Sequence, residues 1–222
     1  MSQNQQNQKA GLGALLTPDN CALLLIDHQA YQFAGLNSHD GTIIVNNTVG
    51  LAKTAKAFNI PTLLTTIIEQ QGGFILKQLQ DIFPDQTPIN RTNLNSWEDK
   101  RVTDWVEATG KKKIIIAGLW SEVCVAFPAI HAAGEGYEVY VVTDASGGMS
   151  AESHQMAVQR MINAGVTPVT WAALVGELQR DWSRTETVPA VAEVVINHMG
   201  GLGVVTLWER QLLDTPVVAP TK

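Results

Sequence analysis

Residues 113–143 read KIIIAGLWSEVCVAFPAIHAAGEGYEVYVVT, and this stretch decides the fold. It opens on an unbroken apolar run, KIIIAG, and closes on a second run rich in valine, YEVYVVT. Between them, residues 125–133 are small and apolar at helical spacing, and Gly136 stands where a helix wants its terminal glycine. Short runs of β-branched residues without strict alternation suit strands covered on both faces. Strand, helix and strand in so few residues make a right-handed βαβ unit of a parallel sheet.

The same grammar extends outward. Residues 22–26 (ALLLI) and 61–67 (PTLLTTI) form two further runs, and 166–170 (VTPVT) a weaker one. Ile44, Thr48, Leu51, Ala52, Ala55 and Phe58 lie on one helical stripe. Trp97, Arg101, Val102, Trp105 and Val106 do the same after Asn95 or Ser96, either of which can cap. Residues 150–164 supply another helix, and Gly110 and Gly165 mark helix ends. Strands alternating with helices place the chain in the α/β class, with a central parallel sheet. Beyond Trp171 the pattern loosens into two helical segments, WAALVGELQRDW and residues 188–198. The glycines of GGLGVV at 200–205 follow no clear strand and lack the last glycine of a dinucleotide fingerprint. The expected layout is a flexible tail over 1–16, a domain over 17–185, and an arm over 186–222 that packs on the domain or on a neighbouring subunit.

Composition narrows the function. The chain has 222 residues, 45% hydrophobic and only 16% charged, with net charge −6. An acidic chain (pI about 5.3) lacks the basic patch that nucleic-acid binding needs, so no nucleic-acid partner is expected. Residues 1–9 lack the apolar core of a signal peptide, and no run of 18 apolar residues occurs, so neither a membrane partner nor a span is expected. Two cysteines make no disulfide framework. A cytoplasmic location follows as the expectation. The low charged fraction points to a homo-oligomer that buries part of its surface. No HExxH, CxxC or GxxxxGK[ST] appears, so neither a metal nor a nucleotide cofactor is expected.

Ligands of open α/β sheets bind at the carboxyl ends of the strands. Asp27, residues 119–124 and Asp144 all follow strand ends. Cys124 opens a helix, where the macrodipole favours thiolate and unpaired amides can hold an oxyanion. It is either a nucleophile or a small buried hydrophobe. Cys21 sits at the opposite sheet edge and reads as structural. Asp27 is a turn-capping aspartate or the base beside a nucleophile. Arg91, in PINRTNLNSW, is an ion-pairing arginine or a fixed charge beside that base, since guanidinium does not deprotonate. His131 lies seven residues past Cys124, too far along the helix to bond it. His28 should point away from Asp27.

LLLIDHQ around Asp27, NRTNLNSWED around Arg91, and the long segment around Cys124 together resemble the isochorismatase-like cysteine hydrolases. The likeness runs from about Asn20 to Trp182, and EVCVAFPA and ELQRDW are similar to a YcaC-like branch. It implies a three-layer α/β/α Rossmann-like fold and an Asp–Lys–Cys triad falling on Asp27, Arg91 and Cys124. Arginine replaces the family's lysine, so a step needing a neutral lysine is in doubt while stabilisation of a thiolate is not. The resemblance also implies a cis non-proline bond, placed at Trp120–Ser121, that aims the Val123 and Cys124 amides at an oxyanion. Metal-binding nicotinamidases of the superfamily use an Asp and two His after the second strand; IIEQQGGFIL at 67–76 has no histidine, which argues for a metal-independent site. The reading is a hydrolase that cleaves an amide C–N bond of a small-molecule substrate through a Cys124 thioester. Isochorismatase-type ether hydrolysis and a non-catalytic thiol redox or ligand-binding protein are the alternatives. The branch points to a large assembly, an octamer.

Overall fold

The computed structural model describes residues 10–213. Six parallel strands, β1 (Cys21–Ile26), β2 (Thr62–Ile67), β3 (Ile89–Arg91), β4 (Lys113–Gly118), β5 (Glu138–Val142) and β6 (Thr167–Val169), form one sheet in the order β3-β2-β1-β4-β5-β6. Helices cover both faces, giving the three-layer α/β/α arrangement. The pleat divides the core in two. Leu23 and Leu25 of β1 pack with Ile115, Tyr140 and Val142 under the helices Gly41–Ala57, Trp171–Gln179 and Val188–His198. Ala22, Leu24 and Ile26 pack with Ile114, Ile116, Val139 and Val141 under Lys100–Thr109, Ala126–Gly134 and Ala151–Asn163. Burial on both faces is why the strands read as unbroken apolar runs.

The helix ends match their sequence signals. Asp40, Asp99, Ser150 and Thr170 accept from backbone N–H groups at helix starts. Gly110, Gly136 and Gly165 have φ of 66°, 90° and 91° just past helix ends. Strand β3 was not expected: PINRTN carries one aliphatic residue, and the strand is a three-residue edge paired to β2 alone. It matters because Arg91 is its last residue.

The end of the N-terminal segment differs from the expected layout. Within the tail expected over 1–16, Leu16 is fully buried, its N–H donates to Glu177 Oε2 at 2.7 Å, and Lys113 Nζ donates to the carbonyls of Gly13 and Leu15. An apolar side chain and a charged partner fix this part of the segment; residues 1–9 lie outside the described residues. Val191 and Val194 of the expected arm pack into the core against the helix Gly41–Ala57, and the helix Gly201–Leu213 follows. Residues 214–222 lie outside the described residues. Among the described residues no single helix is long and apolar enough to cross a membrane.

Chain direction across the sheet reverses between β1 and β4, the switch point where a crevice opens. There Ile26 faces Gly118 in register, and a Cβ on Gly118 would lie 2.5 Å from the Ile26 carbonyl oxygen. Gly118→Ala therefore forces the two central strands apart. We expect a loss of about 1–3 kcal/mol, read as a lower urea midpoint at unchanged slope; an unaltered midpoint would show that the strand ends tolerate spreading.

Candidate active site

Three strands deliver three side chains to one point. Asp27 follows β1 with φ 57°, a left-handed conformation that an L-residue adopts at a cost of about 1–3 kcal/mol. Its carboxylate is fully buried. Arg91 Nη2 donates to Asp27 Oδ2 at 2.6 Å, both side chains without exposure, and Thr65 Oγ1 of β2 donates to Oδ1 at 3.1 Å. Arg91 Nη1 donates to the Asn93 carbonyl, and its Nε is enclosed without a partner. Cys124 stands beside this pair, its thiol within the influence of both charges, and is 4% exposed. The structure thus gathers Asp27, Arg91 and Cys124 at one point.

The turn that carries Cys124 differs from expectation in two respects. The cis bond is Leu119–Trp120, not Trp120–Ser121. Leu119 is still tied to the sheet, its N–H donating to the Ile26 carbonyl at 3.0 Å. The Trp120 carbonyl already accepts from Val123 and Val125, so the Trp120–Ser121 peptide belongs to the first helical turn. Ser121 is buried, with its hydroxyl 2.7 Å from His154 Nδ1. Second, the thiol is not held as thiolate. Burial pushes Cys124 up to about 12, and the neighbouring Asp27 charge adds to the rise; Arg91 and the Trp120 backbone N–H oppose it without prevailing. The dipole expectation failed because Cys124 lies inside a π-turn, Ser121–Val125, and is desolvated there. Burial also raises the Asp27 carboxyl, with the Arg91 charge the largest opposing influence.

Val123 lines the pocket, and its N–H donates to the Trp120 carbonyl at 3.1 Å; serving an oxyanion would exchange that bond. The pocket is a cavity of about 380 Å³ over Cys124, walled by Ile67, Leu94, Trp120, Val123 and Met149 among others. Ile68, a β-branched residue at φ 43°, is also in this wall. Sequence reasoning missed three supporting groups. Thr65 is one of the buried threonines of TLLTTI. Gln29 clamps the strand ends, accepting from the Ile67 N–H at 2.7 Å and donating to the Ile67 carbonyl at 3.2 Å. Gln32 lines the cavity from the short helix Ala30–Ala34. The polar run DHQ hinted at Gln29 alone. His28 points away from Asp27 as expected, its Nε2 3.2 Å from the Ala145 carbonyl, and burial lowers it to about 4. Cys21 starts β1, donates to the Thr17 carbonyl at 3.1 Å, and is pushed up to about 12 by burial. Asp144 accepts from the Trp171 N–H at 2.8 Å, a helix-start contact outside the cavity wall. Among the described residues no cluster of three or more His, Cys, Asp or Glu could hold a metal.

The isochorismatase domain model matches residues 21–173. The chain is 40% identical over 186 residues to the probable hydrolase YcaC of Escherichia coli, covering 83% of this chain and 88% of that one. It superposes on the structure of E. coli YcaC, described as an octameric hydrolase of unknown specificity, with a TM-score of 0.85 and 38% identity over 89% of this chain and 97% of that chain. YcaC from Pseudomonas aeruginosa, solved with hexane-2,5-diol and covalent acrylamide, gives 0.84 and 34% over 90% and 98%. A pyrazinamidase/nicotinamidase from Streptococcus mutans, 18% identical with a TM-score of 0.57 over 68% and 100%, shares the fold.

Burial raises both thiols, but Cys124 lines the cavity whereas Cys21 is fully buried. Iodoacetamide is therefore expected to label Cys124 first, with a rate that begins to climb only above pH 10, where the thiol starts to ionise to solvent ahead of its half-point at about 12. Peptide mass mapping across pH checks this; a titration midpoint near 8, or earlier labelling of Cys21, would contradict it.

Proposed function

The chain is a hydrolase of the isochorismatase family, in its YcaC-like branch, and from that premise we propose that it cleaves the C–N bond of a small amide through Cys124. The observation that carries the reading is a cavity-facing thiol set beside a buried carboxylate that an arginine holds in place.

In this mechanism Asp27 takes the thiol proton as sulfur bonds to the substrate carbonyl carbon. Negative charge develops on the carbonyl oxygen, where the Val123 and Cys124 amides receive it, Val123 giving up its bond to Trp120. Collapse breaks the C–N bond, and Asp27 returns the proton to the leaving nitrogen. Water then attacks the thioester and loses a proton to Asp27, which restores the thiol as the acid departs. Arg91 stays charged throughout and keeps Asp27 from remaining protonated, so the family's lysine is replaced in charge and not in proton transfer. The covalent acrylamide in P. aeruginosa YcaC supports a reactive nucleophile in the branch. Burial of Cys124 runs against a redox sensor, which needs an accessible low-pKa thiol. The substrate's class is small and uncharged; no cofactor enters the cycle.

The assembly we propose is a homo-octamer like that of E. coli YcaC. Leu202, Val205, Trp208 and Leu212 lie along the terminal helix, each more than half exposed, as a face that a neighbour would cover.

In a screen of simple amides by mass detection, wild type should turn over at least one, give a transient acyl adduct on Cys124, and work undiminished in EDTA. Cys124→Ala should retain the fold and lose turnover at least a thousandfold. Turnover by Cys124→Ala, or loss of wild-type turnover in EDTA with recovery on zinc, would overturn the mechanism. Light scattering at micromolar protein should give about eight times the 24.1 kDa chain mass; a monomeric mass would refute the assembly.

A further inference from the structure

The cavity wall over Cys124 contains a polar group that the fold does not use. Gln32 is 5% exposed, and its Oε1 is enclosed with no hydrogen-bond partner. A buried acceptor left unmet costs about 1–3 kcal/mol. Gln29, three residues earlier, shows the ordinary outcome, with its carboxamide spent on Ile67 and Gly73. Gln32 is held differently: Trp120 Nε1 donates to its backbone carbonyl at 2.9 Å, so the residue is pinned while the end of its side chain is left over. It shares the cavity with Cys124, and both line one space of about 380 Å³.

The rest of the wall defines what can enter. Ile67, Leu94, Val123 and Met149 offer apolar surface, and no charged side chain lines the cavity. Arg91, the cation beside Cys124, already serves Asp27 and the Asn93 carbonyl. A carboxylate-bearing ligand would lose its hydration and gain no countercharge.

We propose that Gln32 is a specificity-determining residue that selects an uncharged substrate with an N–H on its amide nitrogen, Oε1 accepting that N–H while an apolar body fills the remaining wall. This rests on the reading of Cys124 as an amide-cleaving nucleophile and names the substrate it takes. A primary amide satisfies the orphaned acceptor. A fully N-substituted amide leaves it unmet, which should cost about ten- to a hundredfold.

The test compares Cys124 alkylation by acrylamide, N,N-dimethylacrylamide and acrylate, each rate divided by that for free cysteine. In all three the sulfur bonds to the terminal carbon and the thiol proton ends on its neighbour, so no co-reactant is needed. Wild type should prefer acrylamide to its dimethyl analogue by at least tenfold and react with acrylate more slowly than free cysteine does. Gln32→Met, with no acceptor oxygen, should bring the acrylamide preference down to the free-cysteine ratio. Gln32→Glu, which keeps an acceptor, should retain it. No preference in wild type, or a preference that survives in Gln32→Met, overturns the assignment. Amide turnover is scored separately. Selective alkylation without turnover of any amide would remove the hydrolytic reading and leave Gln32 assigned; turnover with unchanged kcat/KM in Gln32→Met would do the reverse.

Discussion

Asp27 and Arg91 meet at 2.6 Å with neither side chain exposed, and the rest of the site is arranged around that contact. Two charges leave water only where each finds the other with good geometry, and removing one partner of such a pair costs about 3–5 kcal/mol. The pair bridges three neighbouring strands: Asp27 follows β1, Arg91 ends β3, and Thr65 of β2 lies between and bonds the same carboxylate. The left-handed backbone at Asp27 and the short edge strand β3 are both explained as what it takes to bring the charges together. An apolar pair would hold the strands as well, but would leave nothing to receive a proton.

The ion pair also decides how the thiol is activated. Burial and the Asp27 charge keep Cys124 protonated, against the pull of Arg91. A buried neutral thiol resists oxidation and stray alkylation. In the mechanism we propose, it becomes a nucleophile when Asp27 takes its proton during attack. A permanent charge suits Arg91 to this role, because it tunes Asp27 without competing for the proton. Here the arginine simplifies the proton path where a lysine would add a third titrating group.

Much of this architecture is legible in the sequence, for definite reasons. KIIIAG and ALLLI are buried on both faces, and only strands under two layers of helix need such runs. Asp27 follows its run directly and Cys124 follows after the five residues LWSEV, so the sheet geometry brings them to one edge. Strand β3 was hidden because three residues at an edge need no apolar run. The state of Cys124 was hidden because helix position is local, whereas desolvation depends on everything packed around the sulfur. Gln32 carried no signal, since one glutamine in AYQFA reads as surface until the fold buries it. The anchoring of Leu16 depends on Glu177 and Lys113, more than ninety residues away in sequence.

The central claim is that the proton of Cys124 passes to Asp27 and not to solvent. The most direct measurement is the pH dependence of Cys124 alkylation in wild type and Asp27→Asn. An internal transfer leaves the thiolate fraction independent of pH while Asp27 is ionised, so the wild-type rate should be flat from about pH 7 to 9. Asp27→Asn must ionise to solvent, so its rate should climb about tenfold per pH unit over that range. Parallel tenfold climbs in both proteins would show that solvent takes the proton in each, and would contradict the account.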